Sequence, residues 1–138
     1  MNIVIDTNIF ISALIKDGMT RNLIISSKDS LLIPEFEFDE IEKHKKEILE
    51  KSKLSESELN NLFSNLLKYV AVIETEKIIG YRGEAFEIIG KIDKDDVIFI
   101  ATALAFNAAI WSEDSDFQKQ NKIKILTTKD MIKIQEFP

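Results

Sequence analysis

The stretch that most sharply limits how this chain can fold is Asn2-Ile3-Val4-Ile5-Asp6-Thr7-Asn8. Ile3, Val4 and Ile5 form an unbroken apolar, β-branched run, with none of the alternation of a strand that keeps one face in water. Such a run suits a central strand of a parallel sheet, buried on both faces. A carboxylate follows at once at Asp6, and a carboxamide at Asn8. Ligands of open α/β sheets bind in the crevice beyond the carboxyl ends of the strands, so Asp6 stands where chemistry would be done. Taken alone, it could equally be the cap of the helix that follows.

The rest of the chain alternates helices with short apolar runs. Ile9, Phe10, Ala13 and Leu14 recur at helical spacing up to Gly18, and residues 21–27 read as a second short helix. Leu31-Leu32-Ile33, closed by Pro34, reads as strand two. A highly charged helix is expected over 35–51, with Phe38, Ile41 and Ile48 on its inner side and Glu37, Glu40, His44 and Glu47 on a neighbouring stripe. Ser55 and Glu58 form a capping-box pair ahead of an amphipathic helix carrying Leu59, Leu62, Phe63, Leu66 and Leu67. Strand three follows at 69–73, and a helix over 77–90. Residues 97–109 are apolar almost all round, so that helix belongs to the middle of the protein. Strand four at 108–111, strand five at 123–126 and a last helix from Thr127 to Ile134 complete the series. No repeat, linker or low-complexity segment interrupts it, and residues 1–138 read as a single domain.

Strands that alternate with helices imply parallel crossovers and an α/β/α sandwich. In such crossovers each helix begins at the sheet's carboxyl edge. Asp6 ends strand one, Glu40 lies in the opening turns of the helix after strand two, Asp96 opens the helix feeding strand four, and Asp114 follows strand four. The topology therefore gathers four acids at one edge. Each has a plainer role when taken singly. Asp93 and Asp96 favour a helix start through its dipole, Glu40 suits a solvated face, and Asp114 and Asp116 are turn formers. Scattered surface acids, however, would not converge in this way.

Carboxylates held together raise one another's pKa, and a site of four acids is costly unless something positive occupies it. An all-oxygen donor set suits Mg²⁺ or Mn²⁺, whereas Zn²⁺ would prefer His or Cys. Composition narrows the choice further: the chain has no cysteine and a single histidine, His44, which excludes thiolate sites and disfavours a histidine-rich zinc site. Two hard ions about 3.5–4 Å apart can activate a water and stabilise the leaving oxygen of a phosphodiester. A formal charge of −6 argues against a general electrostatic nucleic-acid binder, but not against an enzyme that meets nucleic acid through bound cations. No basic lead precedes the first apolar run, and no window approaches the roughly 20 apolar residues needed to span a bilayer. A cytoplasmic protein with no membrane partner is expected.

These residues resemble the PIN-domain nucleases along essentially the whole chain. The resemblance rests on Ile3-Val4-Ile5-Asp6-Thr7-Asn8, on Glu40 within Phe38-Asp39-Glu40-Ile41, on Asp93-Lys94-Asp95-Asp96 before an alanine-rich helix, and on Trp111-Ser112-Glu113-Asp114-Ser115-Asp116-Phe117 after the next strand. It implies a three-layer α/β/α sandwich around a five-stranded parallel sheet of order 3-2-1-4-5, with Asp6 and Asp114 flanking the switch point. It also implies metal-dependent cleavage of RNA leaving a 5′-phosphate and a 3′-hydroxyl. Asp6, Glu40, Asp96 and Asp114 would be the catalytic, metal-binding quartet, Asp116 an accessory acid, and Asn8 and Ser112 groups that orient the carboxylates. Asp93 or Asp95 could stand in place of Asp96. Many small members of the family are VapC-type toxins, held inactive by an antitoxin and often dimeric. An antitoxin partner and a homodimer, using the helices over 35–51 and 55–67, are accordingly expected.

Lys16, Arg21, Lys43, Lys45, Lys46 and Arg82 are candidates for phosphate contacts, each also readable as a solvated side chain. His44 reads as a surface residue and Trp111 as core. A receiver domain would need an acidic pair after strand one and an aspartate ending strand three, and this chain has neither. A haloacid-dehalogenase-type phosphatase would need Asp-x-Asp where Asp6-Thr7-Asn8 stands. The stronger alternative is a PIN-like module that binds RNA or protein without cutting.

Overall fold

The apolar run near the start becomes β1 (Asn2–Ile5), and Ile3, Val4 and Ile5 have no exposed surface. The computed structural model describes residues 1–136; residues 137 and 138, the end of the expected domain, lie outside it. After β1 come α1 (Thr7–Ile15), α2 (Met19–Ser26) and β2 (Ser30–Pro34). Then follow α3 (Phe38–Lys43), α4 (Lys45–Ser52), α5 (Glu56–Leu67) and β3 (Val70–Ile73). The chain continues through α6 (Arg82–Ala85) and α7 (Val97–Phe106) to β4 (Ala109–Trp111), β5 (Ile125–Leu126) and α8 (Thr128–Glu136).

The five strands form one sheet of order β3-β2-β1-β4-β5, and every pairing is parallel. This is the topology implied by the sequence. β1 lies in the centre, in register with Leu31 and Leu32 on one side and with Ala109 to Trp111 on the other. The β period of two divides its side chains between two cores. Ile3 and Ile5, with Leu31, Ile33 and Trp111, pack against Phe10 and Leu14 of α1, Leu23 and Ile24 of α2, Ile48 of α4, Leu59 and Leu66 of α5, and Met131 of α8. Val4, Leu32 and Ile110 face the other way, onto Phe99, Ile100 and Ala103 of α7 and onto Ala85, Ile89 and Phe117. Three layers result. α7 buries Val97 and every residue from Phe99 to Ala103, as its apolar circumference predicts. It ends at Asn107, which takes the left-handed conformation at φ 50°, so the predicted helix stops short of Ala109.

Three segments depart from expectation. The helix expected over 35–51 is a 3₁₀ turn at Glu35–Glu37 followed by α3 and α4, broken at His44 (φ −93°, ψ 4°). Glu42 to Glu47 are six consecutive polar residues, and a helix with no apolar stripe there has nothing to hold it straight. The helix expected over 77–90 is a chain of short turns. Thr75–Lys77 and Ile79–Tyr81 are 3₁₀, α6 spans one turn, and Phe86–Gly90 is a π-turn. Gly80, Gly83 and Gly90 all fall in this segment, and glycine weakens a helix interior. β5 starts at Ile125 because the Gln120 side chain bonds both the amide (2.8 Å) and the carbonyl (2.9 Å) of Ile123, holding that residue in a loop. Among the described residues no helix is long and apolar enough to cross a membrane.

Candidate active site

The register of the two central strands places the first pair of polar groups. Ile5 pairs with Trp111, so the residues that follow, Asp6 and Ser112, emerge side by side at the carboxyl edge. The Asp6 amide donates to the Trp111 carbonyl at 3.0 Å. The Ser112 hydroxyl donates to Asp6 Oδ2 at 2.6 Å and accepts from the Asp114 amide at 2.9 Å. One buried hydroxyl thus ties the acid of β1 to the acid after β4. Asp6 occupies the position before α1, but its carboxylate makes no capping hydrogen bond. Burial pushes the Asp6 carboxyl above its usual value. The Ser112 hydroxyl and the nearby amide of Asn8 pull it down, and the Asp114 charge pushes it up.

The turn before α7 supplies the third acid. Asp93 Oδ1 accepts from the Asp95 amide at 2.9 Å, shaping a 3₁₀ turn that drives Asp96 inward, where it is only 7 % exposed. Asp95 stays in solvent. Burial first, and then the charges of Asp93, Asp114, Asp6 and Asp116, push the Asp96 carboxyl up to about 8. Its Oδ2 is buried and has no hydrogen-bond partner among the described residues. Oxygens of Asp93, Asp96, Asp114 and Asp116 all lie within 4.8 Å of one another. Asp114 also accepts from the Asp116 amide at 2.9 Å, and Lys119 reaches Asp116 Oδ1 at 2.9 Å.

These groups open onto a cleft of about 1120 Å³, lined by Asp6, Glu37, Glu40, Asp93, Asp96 and Asp114. Asp96, Asp114 and Asp116 thus stand together with Asp93, an alternative for the third acid. Asp6 touches the group through Ser112. Glu40 does not join it: its side chain is 46 % exposed at the cleft's rim, 3.3 Å from His44 and 3.7 Å from Lys43. Glu37 lies deeper. It is 8 % exposed, and its Oε2 accepts from the Thr7 hydroxyl at 2.9 Å. Burial raises its carboxyl above the usual value, the Thr7 hydroxyl lowers it, and Glu40, Asp6 and Asp95 raise it again. A helix period beginning at 35 put Glu37 on the stripe shared with Glu40. The 3₁₀ turn rotates it inward, and a period of 3.6 carries no signal of that.

Of the six cations offered as phosphate contacts, Lys43 and Arg82 line the cleft, as does Lys94, which sequence reasoning passed over. Arg21 instead caps the end of α1, donating to the carbonyls of Ala13 (2.7 Å) and Leu14 (3.4 Å), and Lys45 pairs with Glu56 at 2.7 Å. Lys16 and Lys46 are not among the cleft's residues. Trp111 is fully buried, and its indole N–H donates to Thr128 at 3.0 Å. Asn8 reaches the cleft, but it is its backbone amide that acts on Asp6.

Whether a cation suits these acids can be judged from the side chains themselves. An all-oxygen set, mutual repulsion and a buried carboxylate oxygen without a partner fit a hard divalent ion. Asp93, Asp96, Asp114 and Asp116 could hold it, with Asp6 alongside.

Comparison with known proteins bears on this arrangement. A family model described as PIN domain matches residues 4–135. No curated protein matches the sequence significantly. Among solved structures, VapBC2 from Rickettsia felis bound to a DNA fragment from its promoter contains a chain with TM-score 0.68 and 18 % identity, covering 92 % of this chain and 98 % of that one. VapBC-1 from nontypeable Haemophilus influenzae contains another, with TM-score 0.67 and 18 % identity, covering 94 % of this chain and 99 % of that one. At that identity the likeness speaks for the fold.

Proposed function

Since the chain belongs to the PIN-domain family, a family of nucleases, we propose that it is a Mg²⁺- or Mn²⁺-dependent endoribonuclease, acting as the toxin of a toxin–antitoxin pair. The observation that carries this reading is the buried oxygen of Asp96, without a partner among the described residues, beside Asp93 and Asp114 in a wide cleft and within reach of Asp116. Such a carboxylate is costly unless a proton or a cation relieves it, and the three acids beside it equip the site for the cation.

Asp96 and Asp114 would hold the ion together with Asp93 and Asp116, with Asp6 alongside and Glu40 at the rim. A bound divalent ion supplies Lewis-acid polarisation of a phosphate and lowers the pKa of water. Ser112 fixes the Asp6 carboxylate in one orientation and at the same time positions the loop bearing Asp114. Lys43, Arg82 and Lys94 face the same cleft and offset the charge of a phosphate chain entering it. The products are a 5′-phosphate and a 3′-hydroxyl. The two VapBC structures support an antitoxin partner by likeness of fold, and a cytoplasmic setting is part of the same proposal. A homodimer belongs to the same reading.

The test is incubation with a mixed pool of labelled RNAs in Mg²⁺, in Mn²⁺ and in EDTA, beside Asp6→Asn protein. Cleavage that requires metal, vanishes in the variant and leaves 5′-phosphate ends is expected. Well-folded, inhibitor-free protein that cuts no RNA while still retaining an RNA or protein partner in the variant would overturn the enzyme in favour of a binding module.

A further inference from the structure

The acid floor accounts for one part of the cleft. Its wall carries another signal. Phe36 is 62 % exposed and Phe86 50 % exposed, and both line the cleft that contains Asp6, Asp96 and Asp114. We propose that Phe36 and Phe86 form a stacking site for one nucleobase of the RNA, next to the phosphate that a cation held by the acids would receive. The inference rests on the nuclease reading and adds the residues that grip the base.

Local structure around both rings supports the assignment. Phe36 sits on the 3₁₀ turn that sends its neighbour Glu37 inward, so the same turn that buries the acid presents the ring. Phe86 opens the π-turn, an uncommon geometry that recurs at functional sites. Gly90 ends that turn, and a Cβ there would come within 2.3 to 2.6 Å of three Phe86 ring carbons. No glycine has a positive φ among the described residues, so the backbone does not require glycine at this point. What the missing side chain provides is room to seat the ring. An exposed aromatic with a fixed seat is preorganised for a flat partner.

Charge selects the partner. Lys43, Arg82 and Lys94 line the same cleft, and neither Arg82 nor Lys94 makes an ion pair among the described residues. Exposed rings interleaved with free cations suit an unpaired nucleotide, which offers a π-face and a phosphate together. An apolar protein segment would use the rings and leave the cations idle.

The experiment uses unstructured octaribonucleotides of A, C or U and an octamer of abasic residues. Binding is measured on the Asp6→Asn background, alone and with Phe86→Ala, Phe86→Leu or Phe86→Tyr, and cleavage of the same octamers by the parent protein is followed in parallel. Thermal melts confirm that each variant is folded. The base-bearing octamers should bind roughly 5- to 150-fold more tightly than the abasic one. Phe86→Ala and Phe86→Leu should lose most of that difference, while Phe86→Tyr keeps it. An unchanged difference in Phe86→Ala, or no difference at all, overturns the stacking site and leaves the rings to a protein segment. Cleavage by the parent in that case leaves the nuclease reading standing alone. Base-dependent binding lost in Phe86→Ala, with no cleavage by the parent, would overturn the nuclease reading alone.

Discussion

Two polar constructions in this molecule follow opposite rules. At the start of α5 two residues satisfy each other: the Ser55 hydroxyl accepts from the Glu58 amide at 3.1 Å, and the Glu58 carboxylate accepts from the Ser55 amide at 3.0 Å. Those bonds hold the Glu58 carboxyl below its usual value. At the carboxyl edge of β1 and β4 the carboxylates crowd one another, and Asp96 keeps a buried oxygen with no partner. The first arrangement stabilises the fold by itself. The second opposes folding until something positive arrives, as is common where a site is built for chemistry and not for stability.

Removing the unpartnered carboxyl should separate the two roles most sharply. Asp96→Asn keeps the shape and deletes the group that must hold either a proton or a cation. Cleavage should fall by about 1000-fold or more, because an ion that contributes several kcal/mol to the transition state loses its innermost ligand. The metal-free fold should meanwhile gain about 0.5–2 kcal/mol. Single-turnover cleavage beside calorimetry in EDTA reads both quantities. A variant that is slower and also less stable would make Asp96 an ordinary buried polar residue and erase the contrast.

pH gives the same contrast without mutation. The Asp96 carboxyl holds its proton up to about 8 in the folded protein, whereas its ordinary value is 3.8. The folded state therefore binds more protons than the unfolded one between about 4 and 8, and the stability of metal-free protein should decline as pH rises through that window. Asp6 and Glu37, both raised chiefly by burial, act with the same sign. A divalent ion competes with the same proton, so its affinity should rise with pH over that range. Melting curves from pH 5 to 9, with and without Mg²⁺, should diverge toward the alkaline end. Parallel curves would mean that no ion meets these acids.

The next effect is smaller. Ser112→Ala removes the hydroxyl that holds Asp6 at 2.6 Å and receives the Asp114 amide at 2.9 Å. Groups that orient metal-binding carboxylates are worth roughly 10- to 100-fold in activity or metal affinity. Cleavage should fall by that much and recover in Ser112→Thr, which keeps the hydroxyl. No recovery would assign the loss to packing at a fully buried position.

What the sequence made legible follows from the same contrast. The β-branched run at Ile3–Ile5, the apolar circumference of α7 and the Ser55–Glu58 pair are local patterns whose physics is also local. The convergence of Asp6, Asp96 and Asp114 then follows from crossover topology, and the sheet order from the family resemblance. The segment from Thr75 to Gly90 was not legible. Its buried residues Ile78, Ala85 and Ile89 lie at helical spacing and so read as one helix, but Ile79, Tyr81 and Phe86 are exposed and glycines permit short turns in its place. Glu37 was missed for a related reason. Its inward turn depends on Thr7, thirty residues earlier, and such a contact leaves no mark in local spacing. Glu40 stood out in the sequence but sits at the rim, paired with His44 and Lys43.

The smallest effect sharpens the comparison from its other side. Ser55→Ala deletes one half of the capping box and should cost about 1 kcal/mol of stability. It should leave cleavage unchanged at temperatures well below the melting point, since α5 packs against the side of the sheet away from α7. The other half of the box depends on pH, with a sign opposite to that of the acid floor. A carboxyl held below its usual value stabilises the fold when ionised, so the contribution of Glu58 is present at neutral pH and disappears as pH falls. Parent and Glu58→Gln should therefore converge in stability on acidification, while the gap to Ser55→Ala, which keeps the backbone amide that donates to Glu58, persists. A Glu58→Gln gap that stayed constant in acid would show that the Glu58 charge adds nothing to the box.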